Sequence, residues 1–532
     1  MPDILYKKAG DIFNQHSYWT KQPIEAIKFF LKKYSKEQDI VLDPFCGSGM
    51  TGIASSMLNR KCILGDLSSA CLHIAKGYNT KFDLSEKDID QFLTKLNKLI
   101  GDIYLTECND CKNDAKIQFE VLGDFFKDQN NNSYSESENY FLSIKNKKKF
   151  KSKLDKIKKN LKFDQHKLIK ICYICKCKKK KLFKDPDKID LNLIKKLENK
   201  KKLYPNNSFF GKETKRNIKK NIYKVFQLYS TKNLHALNII KRQVDKIKNE
   251  ELKKFLLFNF SSILFNCSLM SRYRGYENTS IKMGTYYVPP LIKDNNVLES
   301  FIRKVKKNLN SNKKIFKNIK NNTVQIRSMD ATQMNKIKTN SIDIIYTDPP
   351  YSDIINYSEL NIVWESWLSL QSNYTNEMIV CEENGKSLKN YFILFEKFLS
   401  EASRVLKINK KLIIIFNHPK IYHWSQLQRI IISSKFKIVD NLEPYRIISN
   451  NKTSSQYKTD KKTQSFIALV LENKKRNNEK KLDQIDAKTL NKIFNIAKKR
   501  NYKSKSEQYD FLINYTLNRY NLNSKKILTL LS

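Results

Sequence analysis

An apolar pair, Val41-Leu42, runs without a break into Asp43-Pro44-Phe45-Cys46-Gly47-Ser48-Gly49-Met50-Thr51. This string constrains the fold more than any other. Its glycines allow a strand-to-helix turn and a close backbone approach to a ligand that side chains would obstruct. Apolar residues recur at helical spacing over 24–34 before it, a helix is predicted over about 51–59 after it, and a short strand over 62–64 then ends in Gly65-Asp66. Strand, glycine loop, helix and strand make a β-α-β unit, which requires a parallel sheet. Asp66 stands where a carboxylate receives ribose hydroxyls in dinucleotide-binding folds, and Asp43 can accept from an ammonium group, so the ligand reads as a nucleoside.

The same grammar resumes some 250 residues later. Buried strands are predicted over 324–326 and 342–346, each followed by an acidic residue, Asp330 and Asp348. A helix over 391–405, a strand over 412–416, a helix over 424–433 and closing strands over 436–439 and 464–471 complete the pattern. The fold class is therefore α/β, with one sheet split by a large insertion. The expected boundaries are 1–95 and 320–475 for the sheet domain, 96–200 for a cysteine-rich insert, 201–319 for a mainly helical insert, and 476–532 for a basic helical tail. A chain of 532 residues with 40% hydrophobic content has room for several such units. The apolar stretch 255–270 contains Asn259, Ser261, Ser262, Asn266 and Ser268 and falls short of a membrane span, so it is predicted as a buried helix. With no signal-peptide pattern at the N-terminus, a cytoplasmic protein without a membrane partner is expected.

Asp348-Pro349-Pro350-Tyr351 follows an apolar strand directly, which places it at the carboxyl edge of the sheet, where open α/β folds bind ligands. Its residue types suit one chemistry. An exocyclic amino group on a nucleic-acid base is a poor nucleophile, because its lone pair is delocalised into the ring. A catalyst must accept its N–H bonds and hold the nitrogen in line, and Asp348 with the Pro349 carbonyl supplies two acceptors. The prolines fix φ and remove donors, and Tyr351 offers a flat face for an unstacked base.

Together these segments resemble the amino-group DNA methyltransferases over roughly residues 10–95 and 320–472. His16-Ser17-Tyr18-Trp19-Thr20-Lys21-Gln22-Pro23 looks like the family segment beside the cofactor methionine. Asp43 to Thr51 resembles its glycine motif, Asp66 its ribose acceptor and Asp330 the carboxylate near the cofactor adenine. The resemblance implies a Rossmann-like S-adenosylmethionine-dependent sheet. It also implies cofactor-binding residues Lys21, Asp43, Phe45, Gly47, Ser48, Gly49, Thr51, Asp66 and Asp330, and catalytic residues Asp348, Pro349, Pro350 and Tyr351. An Asp opening the catalytic loop is commoner in the adenine-N6 members, so adenine is the expected target. Cytosine N4, or a guanine amino group in RNA, are the alternatives. A DNA-binding module that has lost catalysis is disfavoured by the intact Asp43, Asp66 and Asp348. Ring-carbon methylation is set aside because no Pro precedes a Cys to provide the usual thiolate. Transfer from a sulfonium needs neither a metal nor a covalent intermediate, so positioning carries the reaction.

Tyr357-Ser358-Glu359-Leu360-Asn361 and Trp364-Glu365-Ser366-Trp367-Leu368 resemble a subgroup of these enzymes with a cysteine-rich insertion. Here Cys108-x-x-Cys111 and Cys172-x-x-Cys175 read as two knuckles of a zinc ribbon, with structural zinc as a second cofactor and Cys177 able to replace one ligand. The net charge of +47 favours a polyanion, so double-stranded DNA is the expected partner, with a restriction or defence partner beside it. Arg272, Arg274 and Tyr276 are candidate nucleic-acid contacts, since guanidinium and aromatic groups suit phosphates and bases. His418 is expected near the rim of the site.

Overall fold

In the computed structural model the residues described are 3–6, 10–136, 140–143, 149–151, 161–199, 205–275, 281–319, 323–439, 445–449 and 466–474, with 495, 513, 516 and 517 beyond them. Strands β1 (Asp3–Tyr6), β2 (Ile40–Asp43) and β3 (Lys61–Asp66) come first. Then follow β4 (Leu105–Glu107), β5 (Asp114–Lys127), β6 (Ser133–Glu136), β7 (Tyr140–Ser143), β8 (Lys149–Lys151), β9 (Lys162–Ile174), β10 (Lys181–Lys184) and β11 (Leu291–Asn295). The last group is β12 (Val324–Ser328), β13 (Ile342–Thr347), β14 (Leu406–Phe416), β15 (Phe436–Ile438), β16 (Tyr445–Ser449) and β17 (Phe466–Asn473).

The first and last groups form one sheet in the order β1-β16-β17-β14-β13-β2-β3-β12, with β15 on β17. From β12 to β14 every pairing is parallel; β17 returns antiparallel between β14 and β16. β13 is buried at all six positions, as a strand covered on both faces must be, and its one charged residue is tied down: Asp343 accepts from the Ile40 amide and from Lys407 Nζ at 2.7 Å. From β2 the chain moves through β3 toward β12 on one side, while β13 and β14 extend the sheet on the other. The crevice beyond the carboxyl ends of β2 and β13 is thus a topological switch point, where such sheets bind ligands.

The middle group forms a second, antiparallel sheet in the order β10-β9-β5-β6-β7-β8, with β4 and β11 also pairing β5. β11 comes from the region expected to be mainly helical and crosses the boundary drawn at residue 200. Lys232, on the helix Thr231–Asp245, crosses it too, through a 2.6 Å ion pair with Glu120 of β5 in which both side chains are buried. The stretch 255–270 is largely buried, and its helix, Glu250–Ile263, holds Asn259, Ser261 and Ser262 but ends before Asn266 and Ser268, where Ser268 Oγ donates back to the Phe265 carbonyl at 2.7 Å. Among the described residues no helix is long and apolar enough to cross a membrane. The expected tail falls outside the described residues except at four positions, of which Ile513 and Leu517 pack into the core beside Trp424.

Candidate active site

The loop after β2 is shaped by its own polar groups. Gly47 and Gly49 have φ of +49° and +78°, and a Cβ on Gly49 would lie 2.7 Å from the Ala75 side chain, so that position tolerates only glycine. The Cys46 amide donates to the Gly65 carbonyl at 2.9 Å and the Gly47 amide to Asp66 Oδ2 at 2.9 Å, which moors the loop to the end of β3. Asp43 is buried, and its oxygens are already engaged: Oδ2 accepts from Thr51 Oγ1 at 2.6 Å, and Oδ1 from Thr347 Oγ1 at 2.8 Å and from the Phe45 amide at 3.2 Å. Burial raises its carboxyl to about 7. Asp43 therefore binds the loop to the end of β13, one residue before Asp348. These bonds make Asp43, which also lines the cleft, a link between the two loops.

The loop after β13 faces it across a cleft. Asp348 Oδ2 accepts from Gln22 Nε2 at 2.6 Å, and Oδ1 accepts from the Tyr351 hydroxyl. Burial raises the Asp348 carboxyl to about 6 and Asp66 to about 6, the two hydrogen bonds to Asp348 acting the other way. Pro350 lines the cleft, and its carbonyl accepts from Tyr391 at 2.9 Å; Pro349 is buried behind it. The Tyr351 ring rests edge-on against Phe416, 5.4 Å between centroids, and is not among the residues lining the cleft.

Of the residues singled out in the sequence, Asp43, Phe45, Gly47, Ser48, Thr51, Asp66, Asp330, Asp348 and Pro350 line this one cleft. Lys21 does not. Tyr18, Thr20 and Gln22 line the cleft, while Lys21 between them turns away. Its ammonium donates to the His16 carbonyl at 2.7 Å and to the Phe13 carbonyl, and burial lowers it to about 7. The residue of this segment that reaches Asp348 is Gln22, and the alternation of Tyr18, Thr20 and Gln22 was the signal that would have found it. Tyr374, Asn376 and Glu377 carried no sequence signal. They enter from the segment after the helix Tyr357–Leu368, where Asn376 Nδ2 donates to Asp330 Oδ2 at 2.7 Å.

Five carboxylates line the cleft, Asp43, Asp66, Asp330, Asp348 and Glu377, and among the described residues no lysine or arginine does. Such a wall repels phosphates and favours a nucleoside that carries positive charge. Behind the base-side loop, His418 is buried rather than on the rim. Its Nδ1 accepts the Lys420 amide at 3.1 Å, so the ring proton lies on Nε2 and is donated to Asp353 Oδ1 at 3.0 Å. His423 stacks on that ring at 3.4 Å and contacts Ser352 Oγ at 3.0 Å, bracing Ser352 at its left-handed φ of +57°.

The second sheet holds a separate cluster. Cys108, Cys111, Cys175 and Cys177 place their sulfurs within 4.8 Å of one another, a set that could hold a metal ion. Cys177 takes the place expected for Cys172. Cys172 lies inside β9, opposite Phe119 and Phe183, buried in a small apolar cluster with Phe119 and Val121, whereas the turn that carries thiols to the cluster begins only after β9 ends at Ile174. Arg272 and Arg274 sit on the segment beside β11 and do not line the cleft, and Tyr276 lies outside the described residues.

Residues 4–77 match the family model described as DNA methylase. Over 73 residues the chain is 36% identical to the Type II methyltransferase M2.LlaDCHI of Lactococcus lactis subsp. cremoris, a match covering 13% of this chain and 27% of that relative. The chain thus spans about a quarter of the length of the curated relative it matches. The matched segment holds Gln22, the glycine loop and Asp66 but not Asp348.

Proposed function

Starting from the placement of its cofactor-loop segment in the amino-methyltransferase family, we propose that the protein transfers the methyl group of S-adenosylmethionine to the exocyclic amino group of a base in double-stranded DNA, adenine N6 being the target. The observation that carries this reading is the single cleft in which the glycine loop and Asp348 face each other among five carboxylates without a basic side chain among the described residues. S-adenosylmethionine carries a sulfonium and an ammonium and no phosphate, which suits that wall. Asp66 would receive the ribose hydroxyls, Asp330 with Asn376 would sit beside the adenine, and the 47–49 backbone would approach the methionine part. Asp348 would accept an N–H of the target amine and keep its lone pair aimed at the methyl carbon, with the Pro349 carbonyl as the second acceptor and Tyr351 as the platform for the flipped base. Adenine is favoured over cytosine by the Asp at position 348. The Cys108, Cys111, Cys175 and Cys177 set matches four-thiolate structural zinc, and the second sheet with its basic segments would recognise the DNA.

The purified protein should move labelled methyl groups from S-adenosylmethionine to duplex DNA, and nucleoside mass spectrometry should find N6-methyladenine. Labelling of RNA alone would overturn the substrate, and N4-methylcytosine would overturn the base. The rate should also depend on pH in a fixed direction. Asp348 is the stronger acceptor, with both oxygens free to accept, when ionised, and its carboxyl is raised to about 6. Single-turnover transfer should therefore rise with pH through about 6 and level off above 7. A rate that falls over this interval would show that the protonated carboxyl is the working form.

A further inference from the structure

We infer that Gln22 is the positioning residue of this site, holding the Asp348 carboxylate in the one orientation that meets the base amine; the inference rests on the methyl-transfer reading above. Gln22 comes from the extended segment before the first helix, 326 residues away in sequence, and its Nε2 lies 2.6 Å from Asp348 Oδ2. An ionised carboxylate only accepts, so the amide must present its nitrogen to Asp348 and its oxygen the other way. That Oε1 is buried and has no partner. A glutamine kept as scaffold has both ends of its amide satisfied, because an unpaired buried acceptor is costly. Here one end is committed to Asp348 and the other is left buried without a partner, on a residue that lines the cleft.

The two oxygens of Asp348 are held differently. Oδ1 is held by Tyr351, inside the same loop, and Oδ2 by Gln22, from outside it. A base that enters and lies on the Tyr351 ring takes Oδ1 from the tyrosine hydroxyl. Gln22 keeps Oδ2, so the carboxylate cannot rotate while the amine exchanges for the phenol. The other titratable groups facing Asp348 are Asp43, Tyr346 and Tyr357, none of which is a cation, so Gln22 and Tyr351 are the groups that stabilise its ionised form.

Full-length Gln22→Leu and Gln22→Glu proteins, compared with the wild type in single-turnover transfer to duplex DNA across pH 5–9, test this. Gln22→Leu should keep its melting temperature and its calorimetric affinity for S-adenosylmethionine. Its plateau rate should fall by roughly 10²-fold, the scale of a misplaced reacting group. The acid limb should move up by about one pH unit, because a donor to the ionised carboxylate has gone. Gln22→Glu separates positioning from shape. While its introduced carboxyl is protonated it donates to Asp348 as the amide did, and once ionised it repels it. The rising profile should become a bell with activity lost on the alkaline side. A Gln22→Leu profile that matches the wild type in limb and plateau, or a Gln22→Glu rate that keeps rising with pH, would overturn the inference. A wild-type protein that methylates no DNA would overturn the reading beneath it instead.

Discussion

Replacing Asp348 with Ala should reduce methyl transfer at least ~10²-fold, and toward undetectable levels, while S-adenosylmethionine binds almost as before. The size follows from what the carboxylate does. The amine of a base has its lone pair delocalised into the ring, and only an acceptor fixed beside it can hold the nitrogen in line with the methyl carbon. Removing a single preorganised polar group from such a site costs roughly 10²–10³-fold in rate. Loss of orientation adds to this, since the loop's other carboxylate, Asp353, is held by His418 and does not line the cleft. The cofactor side should be spared. The glycine loop is moored by Asp43 through Thr51, Thr347 and the Phe45 amide and by Asp66 through the Gly47 amide, and none of these bonds involves Asp348. Single-turnover rates with titration calorimetry separate the two effects. If cofactor affinity collapses in parallel with rate, Asp348 belongs to the cofactor pocket and not to the base.

The second large effect concerns the thiol cluster. Cys177→Ser should lower the bound zinc below one ion per chain and unfold the second sheet around β4, β5 and β9, whereas Cys172→Ala should retain the metal. Four-thiolate zinc sites contribute on the order of 10 kcal/mol to the folding of small metal-dependent units, so one lost ligand outweighs most core substitutions. Cys172 packs with Phe119 and Val121 and is not one of the four clustered thiols, so trimming it should cost about 1 kcal/mol, read as a small fall in melting temperature with unchanged zinc. Metal analysis and thermal melting of both variants decide the assignment. Zinc retained in Cys177→Ser and lost in Cys172→Ala would restore the ligand set that the spacing suggested.

That contrast marks where the sequence stops being informative. Cys-x-x-Cys is a spacing, and spacing does not say where a strand ends. β9 continues through Ile174, so Cys172 remains a strand residue facing Phe119, and the turn delivers Cys175 and Cys177 instead. Lys21 failed for a related reason. The resemblance singled it out, but which residues of the segment face the cleft is set by how the chain alternates there. Thr20 and Gln22 share the phase of Tyr18, and Lys21 does not.

The sequence by itself determined the local units: the helix, strand and glycine loop from Ile24 to Thr51, the acidic residues ending β3 and β13, and the buried strand Ile342–Thr347 running into Asp348. These are legible because strand, turn and helix signals act over a few residues. Only the tertiary structure decided how they meet. It is the order β14-β13-β2-β3 that sets Thr347 on Asp43 and Gln22 on Asp348, across 304 and 326 residues of chain. It also made Asp43 a tie between the two loops. Such pairings depend on which strands become neighbours, a choice made by burial of the whole sheet that no short stretch of residues encodes.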